Sequence, residues 1–126
     1  MRRLNAQEKS KLYQLIDGIY FRLPHAVWCP RSVEWFWDKM GAGVLGKFQW
    51  TTPKRIFLSY ALERAGVEYA ASTAVHELRH KYQFEMDTFG YLLGLPFRRF
   101  TIEPSAVECE KAADKLLGLE GLRDAD

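Results

Sequence analysis

Apolar side chains recur at helical spacing near the start of the chain, where Leu12, Leu15, Ile16, Ile19 and Leu23 share one face until Pro24 interrupts the run. Asn5-Ala6-Gln7-Glu8 has the reciprocal arrangement of a capping box, so the pattern predicts an amphipathic helix opening at Asn5. The period then changes. Ala26-Val27-Trp28-Cys29 suits a short strand, and residues 30–40, with the cluster Trp35-Phe36-Trp37, fit a short helix and a strand equally well. Gly41, Gly43 and Gly46 break the chain before Lys47-Phe48-Gln49-Trp50, and Pro53 separates that run from Arg55-Ile56-Phe57-Leu58-Ser59-Tyr60. Both runs read as strands of a small antiparallel sheet.

Helical spacing returns at about Val67. Ala70, Ala71, Ala74, Val75, Leu78 and Tyr82 form a stripe whose small members permit close packing, which predicts a long helix to about Met86. Residues 88–100, with Gly90, Gly94 and Pro96, read as a loop. A last helix starts within residues 101–104, where Pro104 is tolerated in the first turn, and ends near Gly118. Helix, mixed strands, helix and helix in that order predict an α+β fold.

A chain of 126 residues suits a single domain spanning residues 1–126, and 48% hydrophobic with 27% charged residues excludes both intrinsic disorder and a largely membrane-embedded protein. The most apolar uncharged run, residues 88–97, is far short of the ~20 residues that cross a bilayer. Met1-Arg2-Arg3-Leu4-Asn5 leads into Gln7, Glu8 and Lys9, so no secretory leader is expected. Cys29 and Cys109 read as free thiols, and the expected compartment is the cytoplasm. The net charge of +2 argues against nucleic acid or a lipid surface as partner. Its distribution is uneven: residues 1–60 carry +6 and residues 61–126 carry −4, so a cation site belongs more naturally in the second half.

That half contains the most informative stretch, Thr73-Ala74-Val75-His76-Glu77-Leu78-Arg79-His80, with its H-E-x-x-H motif. Histidines four apart on a helix project from one face, so His76 and His80 can both reach one cation at about 2.0 to 2.1 Å. Glu77, about 100° around the helix from His76, sits at the edge of that face, where a carboxylate can hold and deprotonate a water. Tyr69, Thr73, His76, His80 and Gln83 share the ligand side, opposite Ala71, Val75, Leu78 and Tyr82. Catalytic zinc needs a third protein ligand. Apart from His25, which reads as structural, the choices lie in the last helix, whose buried side is marked by Ile102, Ala106, Cys109, Ala113 and Leu117. Glu110 lies among Ala106, Ala113 and Leu117, and Glu103, seven residues earlier, lies on nearly the same face, whereas Glu108 falls among Pro104, Lys111 and Lys115 and reads as solvated. Asp114 projects from the side of Glu110 and can accept a hydrogen bond that fixes a ligating ring.

His76-Glu77-Leu78-Arg79-His80 followed by Glu110-Lys111-Ala112-Ala113-Asp114 resembles the gluzincin pattern of H-E-x-x-H with a downstream glutamate helix, and among its members the small phage and mobile-element peptidases. The resemblance covers about residues 55–117. It implies one zinc ion per chain held by His76, His80 and Glu110, Glu77 as general base, Asp114 as orienting residue, and a peptide or protein substrate. Glu103-Pro104-Ser105-Ala106 also fits the downstream pattern, so Glu103 stands as the alternative third ligand. The resemblance further implies that Arg55, Ile56, Phe57, Leu58, Ser59 and Tyr60 form the edge strand that holds extended substrate by backbone pairing. Arg79 and Lys81 depart from the uncharged surroundings usual for the motif and predict a more exposed helix.

Oxyanion stabilisation is open to Tyr60, Tyr69, Tyr91, Arg98 and Arg99. Gln83 and Tyr69 read as packing beside the site, and Arg98-Arg99 as a solvated pair. The competing functional class is a zinc-stabilised interaction module without useful hydrolysis, using the aromatic surface or residues 88–100. Monomer and homodimer are both compatible with the sequence.

Overall fold

The Asn5 side chain accepts a hydrogen bond from the Glu8 backbone at 2.8 Å, while the Glu8 carboxylate accepts one from the Asn5 backbone at 2.8 Å. This capping box opens α1 (Ala6–Asp17) in the computed structural model, which describes residues 1–119. The helix stops earlier than its stripe predicts. Gly18, a poor helix former, ends the α-helical bonding, and Tyr20–Arg22 tightens into a 3-10 turn.

Ahead of α1 lies β1 (Arg2–Arg3), and after it come β2 (Glu34–Asp38), β3 (Gly46–Phe48) and β4 (Arg55–Ser59). The sheet order is β1-β2-β4-β3, with β2 parallel to β4 and both outer pairs antiparallel, so the sheet is mixed rather than purely antiparallel. Residues 30–40 are thereby resolved as a short 3-10 turn followed by a strand. Alternation decides what faces the core. Trp35 and Trp37 are buried on the side of Ile56 and Leu58, whereas Phe36 and Phe57 stack on the opposite face with ring centres 5.5 Å apart. Arg3 and Arg55 cover Phe36 at 4.9 and 5.2 Å, and Lys47 covers Phe57 at 5.0 Å, which shields an apolar outer face with charged stems. Both buried indoles are satisfied: Trp35 donates to Pro30 O at 2.8 Å and Trp37 to Glu8 Oε2 at 3.1 Å. Residues 26–29 do not form the predicted strand. They cross α3 as a strap, with the Trp28 N–H donating to Leu78 O at 3.1 Å.

After α2 (Tyr60–Ala65), Gly66 at a φ of 122° turns the chain into α3 (Val67–Met86). This helix is the hub: Ala70, Ala71, Ala74, Val75 and Leu78 are fully buried, and it packs against α1, the sheet, α4 (Thr88–Gly94) and α5 (Glu103–Leu117). The charged residues in the motif do not make it exposed. Lys81 is buried in an ion pair with Glu85, its ammonium 5.4 Å from the Trp28 ring, and Arg79 donates to Ala26 O at 2.7 Å and Ser105 Oγ at 3.0 Å. Paired in this way, the two cations tolerate burial.

Residues 88–100 are not the predicted loop but α4 and a 3-10 turn at Leu95–Phe97. The Asp87 carboxylate caps α4 by accepting from Gly90 N at 2.9 Å, and a Cβ at Gly90 would strike that carboxylate at 2.1 Å. The glycine that reads as a breaker thus makes room for the cap. Among the described residues no helix is long and apolar enough to cross a membrane.

Candidate metal centre

His76 and His80, one turn apart on α3, stand with their rings 4.9 Å apart and their Nε2 atoms 3.2 Å apart. Glu103, the first residue of α5, places Oε2 3.2 Å from His76 Nε2 and Oε1 2.9 Å from His80 Nε2. One donor atom from each of these three side chains lies within 4.8 Å of the other two. Two ring nitrogens and a carboxylate converging at such distances repel one another unless a proton or a cation lies among them. The His, His, Glu set is one that suits zinc, so the donors fit the ion the motif implies.

The outer nitrogens are engaged as well. His76 Nδ1 donates to Glu110 Oε1 at 2.7 Å, and His80 Nδ1 donates to Gln83 Oε1 at 2.9 Å. With the Nδ1 protons directed outward, Nε2 is the nitrogen of each ring that faces Glu103, donating to its carboxylate when protonated and free to meet a cation once that proton leaves. Of the two glutamates considered as third ligand, the alternative, Glu103, is the one that faces Nε2 of both rings. Glu103 faces the two Nε2 atoms, and Glu110, two turns along, reaches the other side of the His76 ring. Asp114 is buried one turn further on.

Glu77 is only 5% exposed and lines a cleft of about 320 Å³ with Thr73, His76, Arg98, Glu103, Glu110 and residues 43–46. Burial pushes its carboxyl above the usual range, against the opposing pull of His80 and His76. Burial also opposes the charged form of His76, but its bonds to Glu103 and Glu110 outweigh that and lift it to about 10. Hydrogen bonds from His76 and His80, with a further one from Arg98, hold the Glu103 carboxyl well below the ordinary carboxylate range.

The wall opposite α3 is β3. A Cβ at Gly46 would lie 2.6 Å from Thr73 Cγ2 and 3.1 Å from Glu77 Cγ, so only glycine lets the strand lie this close to Thr73 and Glu77. This corrects the assignment of the substrate edge. β4, with Arg55, Ile56, Phe57, Leu58 and Ser59, is paired with β2 on one side and β3 on the other, and Tyr60 begins α2. Its backbone is already engaged. The strand at this edge of the sheet is β3 (Gly46–Phe48), which pairs with β4 on one side only, and its first residue, Gly46, lines the cleft.

Of the residues considered for oxyanion stabilisation, Arg98 is exposed, as expected of a solvated pair with Arg99, but it also borders the cleft and donates to Glu103 Oε1 at 2.8 Å. Tyr91 stands edge-on to His80 at 6.4 Å, and burial raises its phenol to about 12. Tyr60 lines a separate pocket, Tyr69 packs against the core, and Arg99 lies over Phe100. His25 pairs with Glu108 at 2.9 Å, away from the centre. Gln83 belongs to the site although the sequence reading treats it as packing. Its signal is position, three residues after His80 on the ligand side. Compared with models of known families, with curated proteins and with solved structures, the chain matches none.

Proposed function

We propose that this chain is a zinc-dependent metallopeptidase in which His76, His80 and Glu103 hold the ion and Glu77 is the general base. The observation that carries the reading is the convergence of His76 Nε2, His80 Nε2 and the Glu103 carboxylate in a cleft that also contains a buried glutamate. The chemistry zinc supplies when bound is Lewis acidity, which polarises a carbonyl and acidifies water. Glu77 takes a proton from water on its carboxylate and passes it to the departing amine, a task that its raised pKa favours. Glu110 and Gln83 hold the imidazole rings in register, and the Arg98 guanidinium at the cleft wall is placed to meet negative charge developing on substrate. The edge of β3 offers backbone groups to an extended peptide, the role first expected of the strand from Arg55. Cytoplasmic residence is part of the same proposal, supported by Cys29 and Cys109, both free.

The interaction-module reading has one observation in its favour, the exposure of Phe89, Leu93, Phe97 and Phe100 along α4 and the turn after it. A purely structural zinc site has no use for Glu77 beside the ligands, which favours the enzyme. Zinc-loaded protein assayed on a mixed set of fluorogenic peptides separates the two. The enzyme reading expects hydrolysis that falls by at least about 100-fold in Glu77→Gln while bound zinc is unchanged. Hydrolysis that survives in Glu77→Gln removes it as the base, and a zinc-replete wild type that cleaves nothing leaves the module.

A further inference from the structure

The Gln83 side chain connects three things. Its Oε1 accepts from His80 Nδ1 at 2.9 Å, and its Nε2 donates to Ile102 O at 3.0 Å and to Ser105 Oγ at 2.9 Å. A carbonyl oxygen can only accept, so the end of the amide that faces Ile102 must be the nitrogen. The oxygen is therefore the end that faces His80, and chemistry alone fixes which way the amide points. An amide oxygen in turn accepts only from an N–H, which requires a proton on His80 Nδ1 and makes Nε2 the nitrogen that faces Glu103 and is available to a cation. Ser105 Oγ also accepts from Arg79 Nε at 3.0 Å, so the anchor of the amide is itself held from α3.

We propose that Gln83 is a positioning residue of the metal centre: by accepting from His80 Nδ1, its amide fixes the tautomer and ring orientation in which His80 can bind a divalent cation. His76 has a carboxylate in the corresponding position, Glu110, so the centre has one charged and one neutral orienting group. The neutral one is affordable on the more deeply buried ring, since His80 is 1% exposed and a second unpaired carboxylate there would be costly. The inference rests on the metal-centre reading above and deepens it.

The test measures zinc affinity of the full chain by competition with a chromogenic chelator, for wild type, Gln83→Leu and Gln83→Glu, with the visible spectrum of each cobalt-loaded protein as a second readout. Gln83→Leu keeps the side-chain size and removes the acceptor, and its zinc affinity is expected to fall about 10- to 100-fold, with an altered cobalt spectrum. Gln83→Glu gives up the bond to Ile102 O but keeps an acceptor at His80 Nδ1, and its affinity is expected within a few-fold of wild type. Folding of each variant is checked by circular dichroism of the metal-free protein. Wild-type affinity in Gln83→Leu overturns the inference while leaving the metal centre intact. Equal losses in Leu and Glu variants also overturn it, because they place the effect in the attachment to α5 rather than in His80. A wild type that binds no zinc removes both the inference and the proposed function.

Discussion

At the residue scale, the same side-chain type does different work according to what surrounds it. Glu77, Glu103 and Glu110 all line one cleft, yet burial raises the first, while hydrogen bonds from two histidines hold the second far below its ordinary range. In the proposed function that divergence separates a proton acceptor from a metal-binding anion, which is why the Glu77→Gln substitution is expected to spare zinc and remove hydrolysis. Residue types and spacing made His76, Glu77 and His80 legible, because two histidines and a glutamate on one helix need nothing else to define their geometry. The choice between Glu103 and Glu110 was not legible. Both occupy nearly the same face of α5, and what decides between them is where that helix begins as it crosses α3, a tertiary fact. Gln83 was missed for a related reason: its partners Ile102 and Ser105 come from another helix.

At the element scale, the site depends on how closely β3 lies on α3. Gly46 sets that separation, since an added methyl would meet Thr73 and Glu77 at less than contact distance. Gly46→Ala is expected to cost about 1 to 3 kcal/mol, read by chemical denaturation, and to lower hydrolysis more than zinc content, because the displaced group is Glu77 rather than a ligand. An alanine variant with unchanged stability and activity would show that the strand gives way freely. The longer helices announced themselves, as in the capping box of α1 and the small-residue stripe of α3, whereas α4 was hidden by Gly90, Gly94 and Pro96. The sheet did not. Trp35, Phe36 and Trp37 are apolar on both faces, because the outer face is covered by Arg3 and Arg55, so the alternation that marks a half-buried strand is absent. Without β2 in view, β4 looked like an edge.

At the scale of the whole molecule, the proposed centre would couple folding, protons and metal. In the metal-free protein His76 titrates near 10 rather than 6.5, so the stability it contributes is complete below about 6.5 and is lost as the pH rises through about 10. Burial of Glu77, which opposes its ionisation, acts in the same direction above the ordinary carboxylate range. Thermal melting in chelator is therefore expected to drop between about pH 6.5 and pH 10. Zinc competes with the His76 proton, so the gain in melting temperature on adding zinc is expected to widen across that window. A flat chelator profile would contradict the pairing of His76 with Glu103 and Glu110.

The most direct test of the centre is the zinc content of the purified full chain after dialysis against metal-free buffer, beside its Glu103→Ala and Glu110→Ala variants. The account predicts about one zinc per wild-type chain, loss of most of it in Glu103→Ala, and retention at about 10- to 100-fold weaker affinity in Glu110→Ala, where only the support of His76 is removed. No zinc in the reconstituted wild type, or a full complement in Glu103→Ala, would contradict it.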